Sequence, residues 1–423
     1  MNRLLPLIFL FFFSSASFSQ NTRTLNAKQW ADSVYASLTP EQRIAQLMII
    51  RLSSIDMKTK QVKYLYDVAE RLVKQYNIGG ICLFQGRVDT LALQLNRLKQ
   101  KAQTPIMVSI DGEWGLNMRM FDQVYPLPKQ MMLGALTDSS IVYQYGKVIA
   151  NQCKRMGIHM NYAPVVDVNN NPNNPVINDR SFGEDKEKVA RFGIEYMKGL
   201  QENGVMACAK HFPGHGDVAV DSHLDLPIIN KTKEALDTVE LYPFKKMIQG
   251  GVASMMVGHL FIPAIDSAIN RPTSLSANNI KNLLQNELQF KGLVITDALE
   301  MMGVKKFFPN GESSVQSLIA GADMLCLPDS VDLAMTKIKD AIATNRLSWE
   351  DIEQRCKKVL ENKYLYRVNE ITPIDTSELL IDLNKEVIAL RREIAEKSVT
   401  LVTHEEVDAF HWEPQSNRQT AYL

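Results

Sequence analysis

Val205-Met206-Ala207-Cys208-Ala209-Lys210-His211 passes from five apolar residues straight into two titratable ones. A short run with no polar alternation suits a strand buried on both faces, as in a parallel sheet covered by helices. The residues that follow it suit the exposed end of such a strand. The same signature recurs along the chain, in Gly80-Ile81-Cys82-Leu83-Phe84, Ile106 to Ile110, Tyr162 to Val166, Val252 to Val257, Leu293 to Thr296 and Met324 to Leu327. Asp111, Asp167, His259 and Asp297 stand just past four of these runs. The stretches between them carry apolar residues at three- and four-residue spacing. Thr39-Pro40-Glu41-Gln42 and Ser348-Trp349-Glu350-Asp351 read as capped helix starts. Alternating strands and helices leave two architectures, an open doubly wound sheet and a closed barrel. Polar residues spread over many strand ends favour the barrel, where those ends converge on one face. No G-x-G-x-x-G follows an early strand to support a dinucleotide fold. The expected fold is therefore α/β, a TIM-type (β/α)8 barrel forming a single catalytic domain.

Composition narrows the partners. The 423 residues are 45% hydrophobic and 22% charged, with 47 basic and 47 acidic side chains and a formal net charge of zero. Nothing there predicts bulk attraction to nucleic acid or an acidic membrane. At the start, Asn2-Arg3, the apolar run Leu4 to Phe13 and Ser17-Phe18-Ser19 read as a signal peptide over residues 1–19, too short to span a bilayer. The expectation is an exported protein, periplasmic or secreted, without stable membrane insertion. The five cysteines include no C-x-x-C pair, and an odd number leaves at least one thiol unpaired. Residues 25–395 form the expected barrel domain. Residues 396–423 form a short tail in which Ser398 to Val402 reads as the first strand of something further.

The loop after Ala209 reads Lys210-His211-Phe212-Pro213-Gly214-His215-Gly216, then Asp221-Ser222-His223. Asp221 lies two residues from His223, close enough for a carboxylate to orient an imidazole that passes protons near neutral pH. A metal site on His211, His215 and His223 finds no familiar spacing and no third acidic ligand, and a purely structural loop fits the pattern equally well. Asp297 is ambiguous between a nucleophile at a strand tip and the N-cap of a helix starting near Ala298. Asp111-Gly112-Glu113 could bind a sugar or make a turn. Asn169 to Asn178 reads as a long irregular loop ahead of Arg180.

Taken in order, these segments resemble glycoside hydrolase family 3, in its β-N-acetylglucosaminidase branch, the bacterial β-hexosaminidases. They are Asp111-x-Glu113 with Arg119; Ala163 to Val168, leading to Asn174-Pro175-Val176-Ile177 and Arg180-Ser181-Phe182-Gly183; KHFPGHGDVAVDSH from Lys210 to His223; Phe290 to Met301; and Ala320 to Met324. The resemblance spans roughly residues 40–365. It implies a catalytic TIM barrel and retaining hydrolysis of terminal β-linked N-acetylglucosamine, from peptidoglycan fragments or chitin-like oligosaccharides. It further implies Asp297 as nucleophile, His223 as acid/base and Asp221 as its orienting partner. Asp111, Arg119, Arg180, Lys210 and His211 match residues that hold the sugar, and no metal or cofactor is implied. The alternatives it leaves are a phosphorylase, a β-glucosidase or β-xylosidase, and an inactive glycan-binding protein. Many relatives add a second α/β domain, whose opening Ser398 to Val402 resembles. Trp114 and Lys186 depart from the family pattern, and Trp114 could stack on a sugar or reshape the pocket rim.

Overall fold

The computed structural model describes residues 16–222 and 224–400, with side chains from residue 26 onward. The predicted signal segment falls mostly outside these residues, as do His223 and nearly all of the predicted tail. Eight parallel strands form the centre: β1 (Met48–Arg51), β2 (Gly80–Leu83), β3 (Met107–Ile110), β4 (Met160–Asn161), β5 (Met206–Phe212), β6 (Ser254–Val257), β7 (Leu293–Thr296) and β8 (Leu325–Cys326). They pair in sequence order, and β1 also pairs with β8. The remaining seam, between β7 and β8, is closed by a bridge from Ile295 to Met324, supported by Thr296 N–H donating to Met324 O at 3.1 Å. The sheet is a closed (β/α)8 barrel.

Every residue of β2, β3, β5, β6 and β7 is buried, which accounts for their continuous apolar sequence. The helices between them wrap the barrel with one apolar stripe inward. Helix Lys186–Gln201 begins at Asp185, whose carboxylate accepts from the N–H groups of Glu187 and Lys188. Both predicted capping boxes are present, Thr39 with Gln42 ahead of helix Pro40–Ala45 and Ser348 with Asp351 ahead of helix Trp349–Leu365.

The apolar runs miss two strands: β4 (Met160–Asn161) ends just ahead of the run Tyr162 to Val166, and β1 has no run of its own. In Ile44 to Leu52, apolar apart from Gln46 and Arg51, a short helix passes into the strand with no glycine or proline between them. After β1 the chain makes a small antiparallel hairpin, Ser53–Ile55 with Val62–Tyr64, over the C-terminal end of the barrel. At the chain's end, helices Leu379–Asn384 and Val387–Ser398 lie against helix Ser140–Arg155, where Gln152 donates to Leu383 O and Arg155 pairs with Asp382. Ser398 closes the last helix instead of opening a strand. All five cysteines are buried free thiols. Among the described residues, no helix is long and apolar enough to cross a membrane.

Candidate active site

A cavity of about 360 Å³ opens at the C-terminal ends of the strands. All eight strands contribute to it: Arg51 from β1, Phe84 after β2, Asp111 after β3, Tyr162 after β4, Lys210 and His211 from β5, Met256 from β6, Asp297 after β7, and Cys326 from β8. A larger cavity, about 1140 Å³, lies at the opposite end of the barrel beside Gly157, His159 and Gly204, and holds none of the predicted residues.

The floor of the smaller cavity is a buried ion network. Lys210, 1% exposed, places Nζ 2.6 Å from Asp111 Oδ1 and 2.7 Å from Glu113 Oε1. Arg180 grips Glu113 with both arms of its guanidinium, Nη2 to Oε1 at 2.6 Å and Nε to Oε2 at 2.9 Å. Arg119 donates to Asp111 twice, to its carboxylate at 2.8 Å and to its carbonyl at 2.9 Å. Two cations on one enclosed carboxylate decide its charge. Burial alone would raise the Glu113 carboxyl, but Arg180 and Lys210 hold it well below the usual carboxylate range. Burial likewise works against the Lys210 ammonium, and Asp111 and Glu113 outweigh it. Phe84 lies between the guanidinium groups of Arg51, 4.7 Å from the ring centre, and Arg119, 4.9 Å away. Arg51 also pairs with Glu300 across the mouth.

The second cluster centres on Asp167, fully buried. Its carboxylate accepts from His211 Nδ1 at 2.7 Å, from the His211 N–H and from the His215 N–H at 2.7 Å. Burial opposes ionisation here too, and the His211 and His215 contacts overcome it, lowering the Asp167 carboxyl. An ionised Asp167 accepts only, so His211 carries its proton on Nδ1 and turns Nε2 toward Arg180 Nη2, 3.4 Å away. His215 is pushed down to about 4 by its burial and by His211, so it is neutral near pH 7. Its Nε2 lies 3.4 Å from Ser222 Oγ.

Asp297 follows β7, with its N–H donating to Val257 O and its Oδ1 accepting from Ala298 N–H at 2.7 Å. No helix starts at Ala298. The next one spans Met302–Lys305, so Asp297 is not a helix cap. His259 braces the turn: its Nε2 donates to Ala298 O at 3.0 Å, and its Nδ1 meets Ser274 Oγ at 2.7 Å.

Six of the eight predicted site residues (Asp111, Arg119, Arg180, Lys210, His211 and Asp297) thus line one cavity. Asp221 does not line it, although Ser222, its neighbour in the chain, does. The predicted irregular loop is present, and Asn174 organises it by accepting from the N–H groups of Val176 and Ile177. Trp114 is no part of the rim. It packs against the core with the Lys129 ammonium 5.1 Å over its ring. Sequence reasoning missed Arg51 and Glu300, and it did not assign Glu113 or Asp167 their structural parts. Arg51 shared its strand's obscurity. Glu113 and Asp167 carried a usable signal, since both sit at strand tips. Among the described residues, no group of three His, Cys, Asp or Glu side chains is placed to hold a metal ion.

A closed barrel whose eight strand tips share one polar cavity is the arrangement that barrel proteins use for small-molecule sites. Residues 39–362 match the Glycosyl hydrolase family 3 N terminal domain, and the chain belongs to that family. Beta-hexosaminidase A of Pseudoalteromonas piscicida is 32% identical over 323 residues, covering 69% of this chain and 54% of that protein. A beta-hexosaminidase of Neisseria meningitidis serogroup C is 33% identical, covering 60% of this chain and 73% of the relative. Among solved structures, a glycoside hydrolase family 3 beta-N-acetylglucosaminidase from Paenibacillus sp. str. FPU-7 superposes with a TM-score of 0.79 at 35% identity, over 87% of this chain and 70% of that one. This chain therefore spans about half the length of the Pseudoalteromonas relative.

Proposed function

We propose that the protein is a retaining exo-β-N-acetylglucosaminidase, exported from the cytoplasm, that releases terminal β-linked N-acetylglucosamine from peptidoglycan fragments or chitin-like oligosaccharides. The observation that carries this reading is the placement of Asp297 on the same cavity as Asp111, Arg119, Arg180, Lys210 and His211. One carboxylate stands at the tip of β7, and the same cavity holds a hydrogen-bonded array of donors and acceptors suited to sugar hydroxyls. The sugar itself is inferred from the printed names of the relatives, and export from the basic-then-apolar N-terminus.

In this mechanism the Asp297 carboxylate attacks the anomeric carbon. The bond to the aglycone oxygen breaks as that oxygen takes a proton from His223, leaving a glycosyl ester on Asp297. Water then attacks the same carbon, gives its proton to His223 and releases the sugar with its configuration retained. Asp221 orients the imidazole. Histidine suits this donor role because its unperturbed pKa of about 6.5 already lies near neutrality. A neutral imidazole also avoids a second negative charge facing Asp297.

The test compares 4-nitrophenyl β-N-acetylglucosaminide with the matching β-glucoside, each with and without phosphate. The expected result is a kcat/KM higher by about 10²-fold or more on the N-acetylated substrate, with free N-acetylglucosamine as product in both buffers. Preference for the glucoside overturns the substrate reading. A sugar 1-phosphate as main product converts the hydrolase into a phosphorylase.

A further inference from the structure

Among the described residues, the loop between β5 and helix Lys233–Thr238 holds no helix or strand from Pro213 to Thr232 beyond a single bridge of Ile228 to Phe261, yet it must present Asp221 and Ser222 in one place. A flexible segment of this length held only at its ends would wander, because ordering each residue costs conformational entropy. Near its start, the loop is pinned by the Asn174 amide, which donates to His215 O and Gly216 O at 2.9 Å each. Gly216 comes so close that a Cβ there would lie 1.7 Å from Val168 O. At its far side, Gly303 N–H donates to Ser222 O at 3.2 Å, and Lys306 pairs with Asp225.

Between these pins sits an ion cluster that no step of the chemistry uses. Lys231 Nζ lies 2.7 Å from Asp217 Oδ2 and 2.6 Å from Glu240 Oε1. Glu240 is 1% exposed, takes a second bond from Asn170 at 2.9 Å, and leaves Oε2 enclosed without a hydrogen-bond partner. Asp217 and Lys231 are the two ends of one loop, and Glu240 belongs to the barrel wall at the head of helix Leu241–Gln249. One ammonium thus closes the neck of the loop and bolts it to the wall, in the manner of a compact Ω-loop whose ends meet. Without that cation, Asp217 would face a buried carboxylate of its own sign, and the Ile228–Phe261 bridge would have to hold the neck against that repulsion.

We propose that Lys231 is the neck clip that sets the position of the 217–231 loop, and through it that of Asp221, the carboxylate read above as orienting the acid/base. It is a positioning residue for departure of the aglycone and touches no substrate atom. The proposal rests on the acid/base reading given above for Asp221 and His223.

The experiment uses leaving groups of different need. A 2,4-dinitrophenyl glycoside departs without a proton, whereas a phenyl glycoside requires one. A misplaced acid therefore slows the second and spares the first. In the full chain, Lys231→Met is expected to lower kcat/KM on phenyl β-N-acetylglucosaminide by about 10²-fold, and on the dinitrophenyl glycoside by less than about 5-fold. Lys231→Arg, which keeps the charge, restores most of the loss. Asp217→Asn, at the more exposed end of the cluster, reproduces the pattern more weakly and serves if the methionine variant does not fold. Equal losses on both substrates, or no loss in either variant, overturn the clip. His223→Ala separates the two readings. If it shows the leaving-group dependence and Lys231→Met does not, the clip alone fails; if His223→Ala lacks that dependence, the acid/base reading fails and takes the clip with it.

Discussion

Asp297→Ala is expected to lower kcat on 4-nitrophenyl β-N-acetylglucosaminide by about 10⁴-fold or more, roughly 5 kcal/mol of lost transition-state stabilisation, with the fold unchanged. The physical reason is that, in the proposed mechanism, the side chain supplies the bond formed in the first step, and among the described residues Asp111 is the only other carboxylate lining the cavity apart from Glu300 at its mouth. Asp111 is committed to Lys210 and Arg119, and Glu300 to Arg51. Neither is poised to substitute. The Asp297 Oδ1 accepts from the adjacent Ala298 N–H at 2.7 Å. Thermal midpoints of variant and parent, measured alongside, separate lost chemistry from lost fold. Added azide should enter the vacated space and yield the α-glycosyl azide, the inverted product, which identifies the missing group as the nucleophile. Unchanged turnover would remove Asp297 from the mechanism.

The second large effect concerns stability. Glu113→Ala removes the carboxylate shared by Arg180 and Lys210 and leaves two enclosed cations with Asp111 as their nearest balance. Breaking a buried ion pair by deleting one partner costs about 3–5 kcal/mol, because the survivor stays desolvated and unpaired. For a chain of this size, a fall of about 10 °C in Tm is expected, with loss of activity alongside. The pH dependence has a defined sign. Glu113 and Asp167 both titrate below their unfolded values, so the folded state binds fewer protons than the unfolded chain in the acid range. Their stabilisation is complete above about pH 4–5 and drains away as the pH falls through the depressed folded pKa values. In Glu113→Ala part of that acid-side slope should vanish, which thermal melts between pH 3 and 7 would register. A variant as stable as the parent would show that Arg180 and Lys210 find other partners.

Much of this architecture was open to reading in the amino-acid order, for reasons that differ from place to place. The barrel was legible because strands buried on both faces leave unbroken apolar runs, and because Asp111, Lys210 and Asp297 mark where those runs emerge. The strand β1 escaped because Ile44 to Leu52 packs helix and strand into one hydrophobic stretch, and periodicity cannot divide a segment that lacks a breaker. Arg51 disappeared with it, and so did its contact with Glu300, a pair 249 positions apart in the chain. Glu113 was visible as a residue but not as a keystone. Its importance lies in two cations arriving from β5 and from the loop after β4, which local sequence does not encode. Trp114 shows the opposite error, an aromatic residue beside the site that packs against the outside of the core beneath Lys129 and does not line the cavity. The Lys231 cluster needed three dimensions as well, because nothing in the spacing of Asp217, Lys231 and Glu240 announces that one ammonium holds both carboxylates.

The thiols offer a use beyond packing. Cys82, Cys208 and Cys326 stand on three strands around the barrel, and Cys153 and Cys356 on helices outside it, all free thiols and buried. Burial pushes Cys82, Cys153, Cys208 and Cys356 up to about 12 and raises Cys326 as well, so none forms a reactive thiolate while its surroundings stay shut. Each is therefore a timer that starts only when its own neighbourhood opens. Timed alkylation followed by peptide mass spectrometry would turn these five positions into a chart of which parts of the wall breathe first, read on the unmodified sequence with no probe introduced.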